Sequence, residues 1–174
     1  MRKVEVVPYN PGWPLLYRVE AERLIKILGK ELVRLHHIGS TSIPGLAAKP
    51  VIDMLAEMRD VEKLDSLNDE MISAGYTPMG EYGIPGRRYY FKGPGELHTH
   101  HLHAFQEGNL EIARHLLFRA YLRSHPAEAQ EYGNLKQALA ARFPANIESY
   151  MDGKDAFIKE IDRKARIWAD ANLV

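Results

Sequence analysis

The chain has no cysteine among its 174 residues. That excludes disulfide scaffolds, thiolate nucleophiles and sulfur-based zinc sites, and it fits a reducing compartment. Long apolar runs are missing as well: nothing approaches the ~20 residues that span a bilayer. The opening "MRKVEVVPYN" lacks the apolar core of a secretory signal. A cytoplasmic protein with no membrane partner is expected. Nor is there an excess of either charge, since 23 lysines and arginines balance 23 aspartates and glutamates. Broad binding to nucleic acid or anionic lipid needs a basic surface, so neither is expected. A local basic pocket for one small anion remains open.

Internal repeats and low-complexity linkers are absent too, and the chain reads as one domain over 1–174. A helix is expected after Pro14, with Tyr17, Ala21, Leu24, Ile25 and Leu28 inward and Gly29 as its stop. "LVRLHHI" and "PVIDMLAEM" read as strands, the second buried on both faces. "VEKLDSLNDEMISAG" reads as a helix presenting Leu64, Leu67 and Met71. "YTPMGEYG", "RRYYFKG" and "HTHHLHAF" read as strands joined in antiparallel hairpins. From Asn109 onward the periodicity is helical, with Tyr132, Leu135 and Leu139 on one face and Phe157, Ile161, Ala165 and Trp168 on another. This order predicts an α+β fold: a small mixed sheet flanked by helices, with a helical C-terminal third.

The stretch "HHIGSTSIPGLAAKPVIDMLAEM" carries the chemistry. Gly39 lets a backbone or ligand approach closely. Ser40, Thr41 and Ser42 place hydroxyls and N–H groups at the mouth of a turn, suited to phosphate, and Lys49 adds charge. Asp53 sits inside an apolar strand, where an unpartnered carboxylate is costly. A structural alternative has Ser40 or Ser42 capping a short helix, with Asp53 bonded to the cap.

The string "HIGSTSIPGLAAKPVID" resembles the signature of the GrpB family, which belongs by fold to the nucleotidyltransferase-like superfamily. "YNPGWPLLYRVEAERL", "THHLHAF", "FRAYLRSHPAEAQEYGNLKQALA" and "YMDGKDAFI" extend the likeness over nearly the whole chain. The resemblance implies a nucleotidyltransferase-like fold in which Gly39 and Ser40 hold nucleotide phosphates and Asp53 is the first carboxylate for a divalent metal, magnesium or manganese. A hydroxyl would attack the α-phosphate of a nucleoside triphosphate, and pyrophosphate would leave.

The chain departs from that pattern at Leu55, where a second acid is expected two residues after Asp53. Glu57 shares the strand face but lies ~6.7 Å beyond Leu55. The third acid is replaced by "HTHHLHAF", which as a strand puts His101 and His103 on one face and His100 with Leu102 on the other. Asp53, His101 and His103 form a candidate metal set, and imidazole would favour zinc, iron, nickel or manganese over magnesium. The alternative is that the histidines stack or bind phosphate directly. Glu57, His101 and His103 are candidate substitute ligands or a general base. His37 can reach the same pocket.

"GRRYYFKG" supplies Arg87, Arg88 and Lys92, with Arg88 and Tyr90 on one side of a strand and Arg87 and Tyr89 on the other. Arg88 is the candidate for holding phosphates. Arg114, Arg119, Arg123, Lys136 and Lys154 are expected in surface or inter-helix ion pairs. Ala120 stands where the family commonly has an acid after the first arginine of "FRAYLR". Three readings follow: a metal-dependent nucleotidyltransferase acting on a small molecule or protein; a nucleotide- or phosphometabolite-binding protein without turnover; and a His/Asp metal-dependent phosphoester hydrolase.

Overall fold

The computed structural model describes residues 3–172. Helix α1, Trp13–Leu28, starts on Pro14 and stops at Gly29, whose φ of 53° ends the helical hydrogen bonding. Trp13, Ala21, Leu24 and Leu28 are buried along it, and Tyr17 packs beside them. Ile25, expected inward, is 51% exposed, because one step past Leu24 turns it ~100° out of the stripe. Strands β1 (Leu32–Ile38) and β2 (Ile52–Met58) fall where the apolar runs placed them.

The segment expected as one helix divides: Val61–Leu67 is 3-10, capped by the Asp60 carboxylate accepting from the Glu62 N–H, and only α2, Asn68–Ser73, is α-helical. The strand expected across "YTPMGEYG" is confined to β3, Tyr76–Pro78; turns around Gly80, Gly83 and Gly86 carry the rest. Strands β4 (Arg87–Lys92) and β5 (His100–Gln106) follow. The C-terminal third is α3 (Leu110–Ser124), α4 (Pro126–Arg142) and α5 (Ile147–Asn172). Asn109 caps α3 by accepting from the Glu111 N–H, and Pro126 opens α4.

The five strands form one sheet in the order β1-β2-β5-β4-β3. The β2–β5 pair is parallel and the others antiparallel, so the sheet is mixed. Met54, Ala56, Leu102, Ala104 and Tyr90 point to one face, where Leu24, Leu28, Leu64 and Met71 cover them. Ile38, Leu55 and Phe105 point to the other and meet Ile112 of α3. β2 is therefore buried on both sides, as its continuous apolar run requires. Its register sets Asp53 between Ile38 of β1 and His101 of β5. Among the described residues, no helix is long and apolar enough to cross a membrane.

Leu102 lies at the centre of this sheet with no exposed surface. Leu102→Ala should lower the unfolding free energy by about 2–5 kcal/mol in urea denaturation; a loss under ~1 kcal/mol would contradict this packing.

Candidate functional site

The bend after β1 begins at Gly39, with φ 68° and ψ −171°. A β-carbon there would lie 2.7 Å from Asp53 Oδ2, so both the backbone conformation and the space demand glycine. Ser40–Ser42 then make one 3-10 turn. The Ser42 hydroxyl donates to Gly39 O at 2.6 Å, and Thr41 Oγ1 lies 2.9 Å from His37 Nε2. Two arginines of α3 brace this bend from outside the sheet. Arg119 donates to His37 O at 2.7 Å, and Arg123 donates twice to Ser42 O, at 3.0 and 2.6 Å.

The carboxylate of Asp53 keeps 30% of its side-chain surface exposed and faces the histidines of β5. Its Oδ1 is 3.1 Å from His101 Nδ1 and 4.0 Å from His103 Nε2. Burial alone would raise this carboxyl, but the two imidazoles outweigh it and hold the group well below the usual carboxylate range. Ligand atoms from Asp53, His101 and His103 all lie within 4.8 Å of one another. His98 Nδ1 sits 2.9 Å from His101 Nε2. Arg87 donates to Glu81 O and Tyr82 O, and its Nη1 is 3.4 Å from His103 Nδ1. Burial depresses His103, against the pull of Asp53. Burial also takes His37 down to about 4, with Asp53 opposing and Arg123 and Arg119 adding to the fall.

Beneath the bend lie two lysines from distant helices. Lys136 is 2% exposed, and its ammonium donates to Ser40 Oγ at 2.8 Å. It stands 4.5 Å from the Tyr132 ring centre. Lys154, 7% exposed, is 4.7 Å from the Tyr150 ring, which Lys49 approaches to 5.4 Å. Among the described residues no carboxylate lies within ion-pairing distance of Lys136 or Lys154. Burial takes Lys136 down to about 6, with repulsion from Lys154 and Lys49 added. Burial and Lys49 take Lys154 to about 8.

Gly39, Ser40, Thr41, Ser42, Asp53, His101 and His103 are thus brought together, with Lys49 beside Lys154. Two expected members are not. Arg88 lies on the opposite sheet face and forms a two-pronged pair with Asp65, at 2.8 and 2.9 Å. Its neighbour Arg87, paired in register with Phe105, is the arginine on the site face. Glu57 accepts from His36 Nε2 at 2.6 Å and lies ~13 Å along the strand from Asp53. Neither residue reaches the Asp53 cluster.

Among the described residues, the ion pairs expected for these five C-terminal cations form at Arg114, with Glu111 and Asp162, and not at the other four. Arg119 and Arg123 hold backbone carbonyls instead, and Lys136 and Lys154 are buried. A signal for those lysines was present: Tyr132–Lys136–Leu139 and Tyr150–Lys154–Phe157 place each lysine inside an apolar stripe at helical spacing. The hollow of about 410 Å³ beside Pro44, Gly45, Leu122 and Arg123 contains neither Asp53 nor the histidines.

Residues 3–164 match the family model described as GrpB protein. This chain belongs to the GrpB family. It is 51% identical over 167 residues to UPF0157 protein YqkA of Bacillus subtilis, covering 96% of this chain and 48% of YqkA. The chain therefore spans about half the length of that relative. The crystal structure of conserved protein GrpB from Enterococcus faecalis superposes with a TM-score of 0.90 at 47% identity, over 94% of this chain and 99% of that one. A cytoplasmic RNA terminal U-transferase aligns at a TM-score of 0.49 and 17% identity, over 75% of this chain and 44% of that one. That likeness is too distant to bear on activity.

The magnesium-binding carboxylate pair of nucleotidyltransferase-like proteins does not fit this GrpB chain. Leu55 is fully buried against Ile38, Phe105 and Ile112, and the facing strand offers imidazoles. Hard magnesium ions prefer oxygen ligands, and within the Asp53–His101–His103 cluster Asp53 supplies the one carboxylate.

Two outcomes test this geometry. Gly39→Ala should cost about 1–3 kcal/mol in urea unfolding, because it forces a strained φ and an overlap with Asp53; a neutral effect would contradict the close approach. His37 titrates near 6.5 unfolded and about 4 folded, so between those values the unfolded chain binds more protons. Its contribution is complete above pH ~6.5 and lost as pH falls toward ~4. His37→Gln should therefore flatten the decline of stability over that window.

Proposed function

We propose that this chain binds the phosphates of a nucleoside triphosphate and transfers its nucleoside monophosphate to a small-molecule or protein acceptor. One observation carries the reading: buried Lys136, with no carboxylate at ion-pairing distance among the described residues, is bonded to Ser40 at the bend that faces Asp53. An ammonium buried without an anion is costly, so free Lys136 tends to shed its proton, and a bound polyphosphate would draw that proton back and pair with it. Lys154 and Lys49 extend the cationic surface, and Arg119 and Arg123 hold the bend in shape. The family resemblance supports the same assignment for Gly39 and Ser40.

In the transfer, the acceptor oxygen bonds to the α-phosphorus while the bond to the bridging oxygen breaks. Pyrophosphate leaves with that electron pair, and the acceptor's proton goes to solvent. Because the donor set does not hold a magnesium pair, stabilising the charge on pyrophosphate falls largely to the lysines. Nucleoside triphosphates are abundant in the cytoplasm, the compartment a cysteine-free chain suits. A second reading, phosphate binding without turnover, is favoured by Leu55, which leaves Asp53 as the lone carboxylate on that face of the site.

Calorimetry with ATP, CTP, GTP and UTP, paired with an assay for pyrophosphate release, separates the two. Transfer predicts release that depends on an acceptor; binding without release selects the second reading. Lys136→Met should weaken triphosphate binding at least tenfold. Lys136 is largely neutral above pH 6 when free and must gain a proton to meet an anion. Wild-type affinity should therefore weaken as pH rises from 6 to 9, and the variant should lose that dependence. Equal affinity in wild type and variant would remove the lysines from the site.

A further inference from the structure

We infer that Asp53, His101 and His103 form a mononuclear site for a borderline first-row transition metal, such as zinc, where related folds are expected to hold magnesium. The inference refines the same site as the proposed function but rests on three side chains, not on nucleotide binding. Asp53 Oδ1 and His101 Nδ1 are 3.1 Å apart, and Asp53 Oδ1 and His103 Nε2 are 4.0 Å apart. Two atoms each bound at ~2.1 Å to one tetrahedral ion lie on the order of 3.4 Å apart, so these separations bracket the requirement. All three side chains project from the central pair β2 and β5, whose parallel register places Asp53 directly beside His101. Backbone hydrogen bonding thus sets most of the geometry before an ion arrives.

The surroundings orient the first histidine. Without a metal, His101 Nδ1–H donates to Asp53 Oδ1. His98 Nδ1, 2.9 Å from His101 Nε2, can accept from a proton on that far nitrogen, so that metal entry can move the proton to Nε2 and free Nδ1 to bind. His98 is itself stacked on Phe91 at 4.1 Å between ring centres, which holds it in place. The second histidine also needs an adjustment. An arginine only donates, so Arg87 Nη1 beside His103 Nδ1 leaves the proton of a neutral ring on Nε2, facing Asp53. Metal entry moves that proton to Nδ1 and turns Arg87 Nη1 aside. The contact given up is long, at 3.4 Å, and Arg87 retains its bonds to Glu81 O and Tyr82 O.

Two imidazoles and one carboxylate are a borderline donor set that leaves further coordination positions for water or a phosphate oxygen. Magnesium demands a nearly regular shell of oxygens and is poorly served by it. The ion's identity follows from what replaced the acids, not from the fold.

The test is a titration of chelator-treated full chain with zinc, manganese and magnesium by calorimetry, without nucleotide. Expected is one equivalent of zinc bound at least 100-fold more tightly than magnesium. Nitrogen NMR of the unmodified chain should show zinc shifting the ring nitrogens of His101 and His103. His101→Ala and His103→Ala should each weaken zinc at least tenfold, and His125→Ala, at the junction of α3 and α4 against Tyr121 and Trp168, should not. The assignment is overturned if no ion binds stoichiometrically, if magnesium binds as tightly as zinc, or if the His101 and His103 nitrogens do not respond. The nitrogen readout needs no substitution, so a misfolded variant cannot obscure the answer. Since nucleotide is absent, failure here leaves the triphosphate reading standing, and failure of triphosphate binding leaves the metal result intact.

Discussion

The contact between Gly39 and Asp53 governs the arrangement of the site. No side chain fits between the bend and the acid: a β-carbon on Gly39 would lie 2.7 Å from Oδ2. Asp53 is held from the other side by pairing with β5, which sets His101 beside it. The carboxylate is thus confined between a bend it touches and two imidazoles it attracts. Its burial would raise its proton affinity, and the imidazoles reverse that, keeping the anion. A charged acid inside an apolar strand is stable here because its partners are hydrogen-bond donors or potential metal ligands.

The helical third is part of the site, not a separate attachment. Arg119 and Arg123 satisfy carbonyls at the end of β1 and in the bend, where the backbone leaves the sheet ladder and would otherwise leave acceptors unmet. Lys136 donates to the Ser40 hydroxyl from 96 residues away. Ile43 and Leu46, just past the bend, pack with Tyr121, Leu122 and Tyr132 of the same helices. Apolar contact therefore fixes the helices against the bend, and that contact brings the lysines under it. The cost of burying two ammonium groups is offset by ring faces at 4.5 and 4.7 Å, by Asp53, and in the proposed reading by phosphate.

Histidines on β5, where the family resemblance implies an acid, set what the site can offer a ligand. Leu55 joins the apolar layer with Ile38, Phe105 and Ile112 instead of facing a metal. Glu57, which shares its face, is taken by His36. With one carboxylate left, charge near the bend comes from lysines, and any metal would be held largely through nitrogen. These are coupled consequences of a few side-chain identities on one backbone.

Local pattern was enough to place β1, β2, β4, β5 and the long helices, but not the 3-10 character of Val61–Leu67 or the shortness of β3; the family resemblance, not local pattern, joined Gly39 to Asp53. Local pattern also put His101 and His103 on one face, because strand alternation depends only on neighbouring residues. Alternation likewise separated Arg87 from Arg88, but which of the two faces the site was decided by β4 registering against β5, with Arg87 opposite Phe105. Glu57 and the C-terminal lysines were decided by tertiary packing alone. The partner of Glu57 is His36 on another strand, and the partner of Lys136 is Ser40 on a distant bend. A lysine within an apolar stripe looks locally like a lapse in periodicity. Only the packed helices, by enclosing it beside a hydroxyl and keeping every carboxylate among the described residues beyond ion-pairing distance, make it an amine poised to gain charge beside an anion.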